Sequence, residues 1–419
     1  MLTEREEAYR VLLLWQKDGS FIKESGLSPF AMELALGVCR RHLYLEYFVK
    51  SLTKKLPSLE ARVILEMGLF QMFFMDVPDY AAINASVELA KSANLGESTA
   101  RLVNAVLRTA RRQGEPALPP QRVRRVSVEN SVPEWLVRRW FDVYGGDRAE
   151  ALAKATLERP TEWIRVNLQK TSAPVLAEKI GITGASILYD RFIEIPRDVG
   201  VKLLLALPEF VKGEFSFQNP SAFEVVKLLD LKPGLKVWDA CAAPGGKTAL
   251  MAEMDSSLEI LASDSSASRL EKMQDLMNRL GLTNIKTEVI DLAPAQDSAT
   301  SPQHYPLSSE AKFDRILLDV PCSGFGLFSD KPDLRYNKSL SDIVSLSETQ
   351  SRILFSCCDY VKPGGKLVYS TCTISKRENE NQIGHFLNSR PDYTLLEQKQ
   401  FLPMVDGIDG FYYAVMKRS

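Results

Sequence analysis

The sequence predicts three domains in series: an all-α N-terminal domain, a small α+β module and a C-terminal doubly wound α/β domain. Three observations carry this reading. Up to about Arg112 the apolar residues recur at helical spacing. From Gln218 onward, short apolar runs alternate with helical patterns, the order a parallel sheet with crossover helices requires. Between the two, prolines and a shortening periodicity interrupt the chain. At 419 residues, several cores fit better than one.

Taken in order, Ala8, Val11, Leu12, Leu14 and Trp15 begin an amphipathic stripe, and Phe30 to Phe48 carries another. Leu59 to Met75 is apolar enough for a buried helix, which Pro78 ends. Asn84 to Ala93 and Ser98 to Arg112 complete a bundle over residues 1–125. Pro116, Pro119 and Pro120 mark a linker or an extended crossing. The module 126–217 holds helices at Pro133–Tyr144 and Asp147–Thr156, then strands at Trp163–Leu168 and Ile187–Tyr189 around a helix at Ala173–Ile180.

The third domain, 218–419, opens with a strand at Lys236–Trp238, a helix to Met254, a strand at Leu258–Ala262 and a helix at Ser268–Leu280. Strands follow at Ile285–Ile290 and Arg315–Leu318, separated by a Ser-, Pro-, Ala- and Gln-rich surface insertion at 293–311. A helix spans Ser341–Val361, and a turn at Pro363-Gly364-Gly365 leads to a strand at Lys366–Ser370. The expected sheet is parallel.

With 45% hydrophobic and 25% charged residues, the composition is that of a soluble globular protein. No apolar run is long enough for a membrane span, and the opening Met-Leu-Thr-Glu-Arg-Glu-Glu is no signal peptide. Six cysteines without a disulfide spacing, and only three histidines, point to reduced thiols, no metal and a cytoplasmic protein. A net charge of −1 excludes a uniformly basic nucleic-acid binder. Residues 101–140 are the exception, where nine arginines against three glutamates leave +6. Arg111, Arg112, Arg122, Arg124 and Arg125 lie here. Two readings stay open: a solvated helix face and linker, or a patch that contacts phosphates.

The chemistry concentrates at strand ends. In Leu235–Thr248 an apolar strand ends at Asp239, turns through Pro244-Gly245-Gly246 and enters a helix, whose first backbone N–H groups are free for a ligand. Gly-Gly-Lys-Thr resembles a phosphate loop, but Cys241 stands where that loop needs glycine and Pro244 lacks an N–H. A zwitterionic or polar ligand held by Asp239 and the Ala242–Lys247 backbone fits better. Asp264, after the second strand, suits ribose hydroxyls, and Asp291, after the third, suits a base. Each aspartate alone could equally cap a turn. The fourth strand exits through Leu318-Asp319-Val320-Pro321-Cys322-Ser323-Gly324, the fifth through Tyr369-Ser370-Thr371-Cys372-Thr373. Cys357 and Cys358, in mid-helix, read as buried small hydrophobes, whereas Cys322 and Cys372 lie on strand-to-loop exits.

Asp239 to Thr248, Asp319 to Gly326 and Ser370 to Thr373 with Glu378-Asn379-Glu380 resemble the RNA cytosine-5 methyltransferase family, Sun or RsmB type. The likeness covers about residues 218–385. The N-terminal bundle resembles the NusB-like RNA-binding domain of the RsmB branch, which methylates bacterial small-subunit ribosomal RNA. This resemblance implies a Rossmann-like domain using S-adenosyl-L-methionine, with Cys372 as the nucleophile that adds to cytosine carbon 6. Cys322 would help remove the carbon 5 proton and release the enzyme, and Asp319 would bind the cytosine edge. Cys241, Ala242, Ala243, Pro244, Gly245, Gly246, Lys247, Asp264, Asp291 and Asp319 would hold the cofactor. Lys331 and Arg335 would contact the RNA backbone, and Glu378-Asn379-Glu380 would orient the loop after Cys372.

Two positions depart from the family pattern. Gln218-Asn219-Pro220-Ser221 has asparagine where an aspartate is usual, and Ser265 follows Asp264 where an apolar residue is usual. The implied partner is small-subunit rRNA, free or partly assembled, bound by a monomer. The alternatives are a tRNA methyltransferase, a non-catalytic RNA-binding assembly factor and, in principle, a DNA cytosine methyltransferase. The DNA enzyme would carry its nucleophile in the Pro321-Cys322 motif, so the second cysteine at Cys372 favours RNA.

Overall fold

A computed structural model describes residues 3–22, 26–294, 307–403 and 408–419. Most of the 293–311 insertion expected from composition therefore lies outside the described residues. Contacts divide the chain into two compact units, 1–159 with 327–339 and 160–326 with 340–419. No helix among the described residues is long and apolar enough to cross a membrane.

The first unit is helical. Its first helix, Glu4–Asp18, is fixed by a capping box between Thr3 and Glu6 and stopped by left-handed Gly19. The apolar stripe from Phe30 to Phe48 is two helices, Pro29–Arg40 and His42–Leu52, broken at Arg41. Leu59–Phe74 is buried almost all round, as its unbroken apolar run demands. A Cβ on Gly37 would lie 2.1 Å from the Phe70 ring, so glycine lets these helices approach closely. Asp79–Ser92 and Glu97–Gln113 close the bundle. Residues 114–121, which hold the three prolines, carry no helix or strand, but Arg122–Asn130, unassigned from sequence, is a helix, followed by Glu134–Tyr144 and Gly146–Ala155.

The segment 327–339 is packed into this helical unit. Arg335, expected at the RNA backbone, is instead fully buried. Its guanidinium donates to the carbonyls of Asn130, Ser131, Thr156 and Phe328 and to the Thr156 hydroxyl. A guanidinium whose two terminal nitrogens are held by carbonyls and which is closed off from solvent is out of reach of a phosphate. Lys331, on the same segment, is exposed.

The second unit holds two sheets. Strands β1 (Trp163–Val166), β2 (Ile187–Leu188), β3 (Phe192–Glu194) and β4 (Phe215–Phe217) form an antiparallel sheet in the order β2-β3-β1-β4. Their core is Ile164, Val166, Leu176, Ile193 and Phe215. The larger sheet comprises β5 (Lys236–Asp239), β6 (Glu259–Asp264), β7 (Ile285–Val289), β8 (Phe313–Asp319), β9 (Val361–Thr371), β10 (Tyr393–Gln400) and β11 (Tyr412–Arg418). Its order is β10-β11-β9-β8-β5-β6-β7. The first five of these strands are parallel, but β10 and β11 form an antiparallel hairpin added beside β9, so the sheet is mixed rather than wholly parallel. The expected turn at Pro363–Gly365 is also revised: β9 runs from Val361 through it, with an irregularity in its pairing to β8 at Phe313/Arg315.

Period-two alternation covers both faces of the sheet. Val237, Leu317 and Val368 pack towards helices Gly246–Met254 and Ala267–Leu280. Their neighbours Trp238, Ile316, Leu318, Leu367 and Tyr369 pack towards Leu340–Cys358 and Glu380–Ser389. The chain runs β5-β6-β7 outward and returns to place β8 on the other side of β5. The crevice between the carboxyl ends of β5 and β8 is thus the switch point where ligands bind in such sheets.

Candidate active site

Asp239 ends β5 at this switch point and is 1% exposed. The Thr248 hydroxyl donates to Asp239 Oδ2 at 2.6 Å, while Oδ1 finds no partner among the described residues. Burial pushes this carboxyl up to about 7. The loop that follows is clamped to the sheet by Ala242 N–H donating to Ser263 O at 2.8 Å. Gly245 has φ +98°, and a Cβ there would meet Met273 Cγ at 2.6 Å, so this turn excludes a side chain on both counts. Cys241 is half-buried, and burial with the nearby Asp239 raises its thiol pKa, as suits a packing residue.

Asp264, at the end of β6, is 4% exposed. It accepts from the Ser266 N–H at 3.0 Å and pairs with Arg269 at 3.1 Å; Arg269 also reaches the Ala243 carbonyl, tying the two strand ends together. Asp291 is different. It is exposed and accepts from the Ala293 N–H at 2.9 Å, the turn-capping geometry.

On the other side of the switch, Asp319 ends β8. Ser370 donates to its Oδ1 at 2.8 Å and Lys247 to its Oδ2 at 2.5 Å. Burial opposes the Lys247 ammonium, but Asp319 outweighs it and the pKa ends above the ordinary lysine value. Register pairs Asp319 with Ser370, so the Pro321-Cys322 loop and the Thr371-Cys372 exit are neighbours. Their sulfurs stand 3.2 Å apart. Neither cysteine is in a disulfide, and Cys322 is pushed well above the usual thiol range by Cys372 beside it and by burial.

Behind the sulfurs lies a network of which the sequence pointed only to Glu378 and Asn379. Glu378, fully buried, accepts from the Ser323 N–H at 2.8 Å, the Ser323 hydroxyl at 2.7 Å and Gln350 Nε2 at 3.1 Å. Gln350 also donates to the Pro321 carbonyl at 2.9 Å. Asn379, equally buried, accepts from Thr371 Oγ1 at 2.6 Å and donates to Thr373 O at 3.0 Å. The Gly326 N–H donates to the Cys372 carbonyl at 3.0 Å. Both cysteine loops are thus held from beneath. Ser323 and Gln350 were missed because a serine and a mid-helix glutamine give no distinctive signal in sequence.

The arginine-rich stretch of the helical unit is partly neutralised. Arg111 pairs with Asp79, Arg122 with Asp147 and Glu150, and Arg125 with Glu150, while Arg112 and Arg124 are exposed. Among the described residues no group of three or more His, Cys, Asp or Glu side chains is placed to hold a metal ion.

Comparison with known proteins bears on this arrangement. Residues 226–417 match the family described as 16S rRNA methyltransferase RsmB/F, residues 3–112 the NusB family, and residues 132–185 the ferredoxin-like domain of RsmF/B-like methyltransferases. The fold resembles the crystal structure of PH0851, with a TM-score of 0.78 at 22% identity over 100% of this chain and 99% of that one. It also resembles NSun6 from Pyrococcus horikoshii solved with SFG, an S-adenosylmethionine analogue, with a TM-score of 0.57 at 22% identity over 68% and 98% of the two chains. Sheet, switch point and matches define an S-adenosylmethionine-dependent methyltransferase.

The chain is 34% identical to the probable ribosomal RNA small subunit methyltransferase B of Bacillus subtilis, over 99% of this chain and 96% of that one. It belongs to the RsmB family of ribosomal RNA small subunit methyltransferases. The residues present fit the cofactor: an orphaned carboxylate oxygen on Asp239, a side-chain-free turn at a helix start, and a buried Asp264 at the next strand end.

Proposed function

We propose that this protein methylates carbon 5 of a cytosine in small-subunit rRNA through a covalent cysteine–RNA intermediate. The observation that carries this reading is the 3.2 Å separation of Cys322 and Cys372 Sγ beside Asp319, at the acceptor side of the switch point. Bound S-adenosylmethionine supplies the electrophilic methyl group. Asp239, Asp264 and the 241–247 backbone hold it, with Asp291 at the margin. Cys372 acts as a thiolate and adds to carbon 6, which makes carbon 5 nucleophilic. Cys322, kept protonated beside it, is held ready to exchange a proton. After methyl transfer it gives its own proton to solvent, and the thiolate so formed takes the carbon 5 proton; the C5–H electron pair closes the C5=C6 bond and Cys372 leaves carbon 6 as a thiolate. Asp319, held by Lys247 and Ser370, binds the cytosine edge.

A stacked base is out of reach of a thiolate, so the substrate is a single-stranded or flipped cytosine. We assign phosphate contact to Arg111, Arg112, Arg122, Arg124 and Arg125, with the exposed Lys331 contributing. The test is methyl transfer from labelled S-adenosylmethionine to separated small-subunit rRNA, large-subunit rRNA and tRNA. Label in small-subunit rRNA, recovered as 5-methylcytosine, supports the proposal. Label in tRNA alone, or in another base, overturns it.

A further inference from the structure

We propose that Arg165 of β1 is a positioning residue for cofactor binding, the tie by which the small sheet fixes the Gly245-Gly246 turn. This rests on the reading that the 241–247 loop with Asp239 and Asp264 holds S-adenosylmethionine.

Arg165 is 1% exposed in the middle of a four-residue strand, a costly place for a cation. Its guanidinium meets both ends of helix Gly246–Met254. One nitrogen donates to the Gly246 carbonyl at 2.8 Å and to Gln218 Oε1; the other donates to Glu253 Oε1 at 2.7 Å, and Glu253 is 6% exposed. Residues 246 and 253 are seven apart, two helical turns, and so share one face. A single planar fork therefore sets both the height and the rotation of this helix against β1. Gln218 completes the hold, because a Cβ on Gly246 would lie 2.7 Å from its Nε2. At the other end, Gln169 donates to the carbonyls of Ala252 and Glu253, each at 3.2 Å.

Buried ion pairs contribute little net stability compared with apolar residues of the same size, so this one calls for another explanation. Its position supplies one. The helix it grips begins at the turn assigned to the cofactor, and a small displacement there weakens the hydrogen bonds that the helix start makes to that ligand. A lysine cannot substitute, since one ammonium lacks the fork needed to span both contacts.

Two variants of the full-length protein test this by direct titration with S-adenosylmethionine, followed by steady-state kinetics. Arg165→Lys keeps the charge opposite Glu253 but loses the fork; its cofactor Kd is expected to rise about threefold or more. Arg165→Met combined with Glu253→Leu removes both charges and retains folding. Its Kd is expected to rise about tenfold, with KM for the cofactor rising in step and kcat at saturation nearly unchanged. A merely structural role would lower the melting temperature without this split. Wild-type affinity in Arg165→Lys, or in a double variant that melts like wild type, overturns the proposal. Asp264→Ala in the same titration separates the two claims. If it also binds like wild type, the reading of the cofactor site has failed; if it alone weakens binding, only the role of Arg165 has.

Discussion

The two halves of the sheet rim are built in opposite ways. On the cofactor side, β5 and β6 end in buried carboxylates, and one oxygen, Asp239 Oδ1, has no partner among the described residues. On the acceptor side, β8 and β9 lead into half-buried thiols, and Ser323, Gln350, Thr371 and Thr373 beneath them are tied together through Glu378 and Asn379, with Gln350 Oε1 alone of these side-chain groups lacking a partner among the described residues. The difference follows from what each half must do. A site that grips a polar ligand keeps hydrogen-bonding capacity in reserve, at a cost to the free protein. A site that presents a nucleophile commits most of the polar groups around it to fixing the loop.

The largest expected effect breaks the acceptor side at its one reactive atom. Cys372→Ala should lower methyl transfer by about 10⁴-fold or more, because the neighbouring Cys322 serves as the base for the carbon 5 proton and does not replace the covalent nucleophile. Cys322→Ala should form the RNA adduct but release it slowly, leaving a protein–RNA band that survives denaturing electrophoresis. Turnover at the wild-type rate in either variant would contradict the division of roles between the two sulfurs.

Next in size is the reserve on the cofactor side. Burial holds the Asp239 carboxyl at about 7 in the folded protein, above an unfolded value near 3.9. Its contribution to stability is therefore fully present below about pH 3.9 and is lost as pH rises through about 7. The loss at pH 8 is at most about 4 kcal/mol. Asp239→Asn does not titrate, so it should gain stability relative to wild type between pH 5 and pH 8, while binding S-adenosylmethionine more weakly. Denaturant unfolding at the two pH values measures the first effect. A stability difference independent of pH would show that the carboxyl is not held protonated by its burial.

Glu378→Ala sharpens the contrast from the other direction. It leaves the Ser323 N–H and hydroxyl without the acceptor they now share and opens a cavity, at a cost of about 3 kcal/mol. The rate should fall with stability, since the Pro321-Cys322 loop loses its anchor. Glu378→Gln, which keeps an acceptor oxygen, should lose less. An unchanged unfolding midpoint in Glu378→Ala would mean that the network does not brace the thiols.

The same contrast explains what the sequence could disclose. The cofactor side is made by consecutive residues at strand ends, so Asp239, Gly245, Gly246 and Asp264 were legible as a motif. The two cysteines were legible by position. Of their support, Glu378 and Asn379 came only with the family resemblance, and Ser323 and Gln350 not at all, because Glu378 meets them only after the sheet brings β8 and β9 together. Arg335 was misread for the same reason: its partners at 130, 131 and 156 lie far away in the chain, and a basic residue in a polar stretch gives no sign of burial. Strands β3 and β4, three residues each, exist through pairing with β1, which no local pattern records. The exposed residues of β10 blurred the alternation that would have marked the C-terminal hairpin.

The smallest effect probes the last link of the acceptor side. Thr371 Oγ1 donates to Asn379 Oδ1 at 2.6 Å, and Asn379 Nδ2 is already committed to Thr373 O at 3.0 Å and Gln400 Oε1 at 2.7 Å. Thr371→Val keeps the shape and β-branching that suit the end of β9 but removes this donor, leaving a buried carbonyl oxygen without it. The cost is about 1–2 kcal/mol, a fall of a few degrees in melting temperature. Cofactor affinity should stay at the wild-type value, because Thr371 braces only the residue beside Cys372, and kcat should fall by less than in Glu378→Ala. A variant that instead loses cofactor affinity while its melting temperature holds would show that the two halves share one support, and that the division between them is wrong.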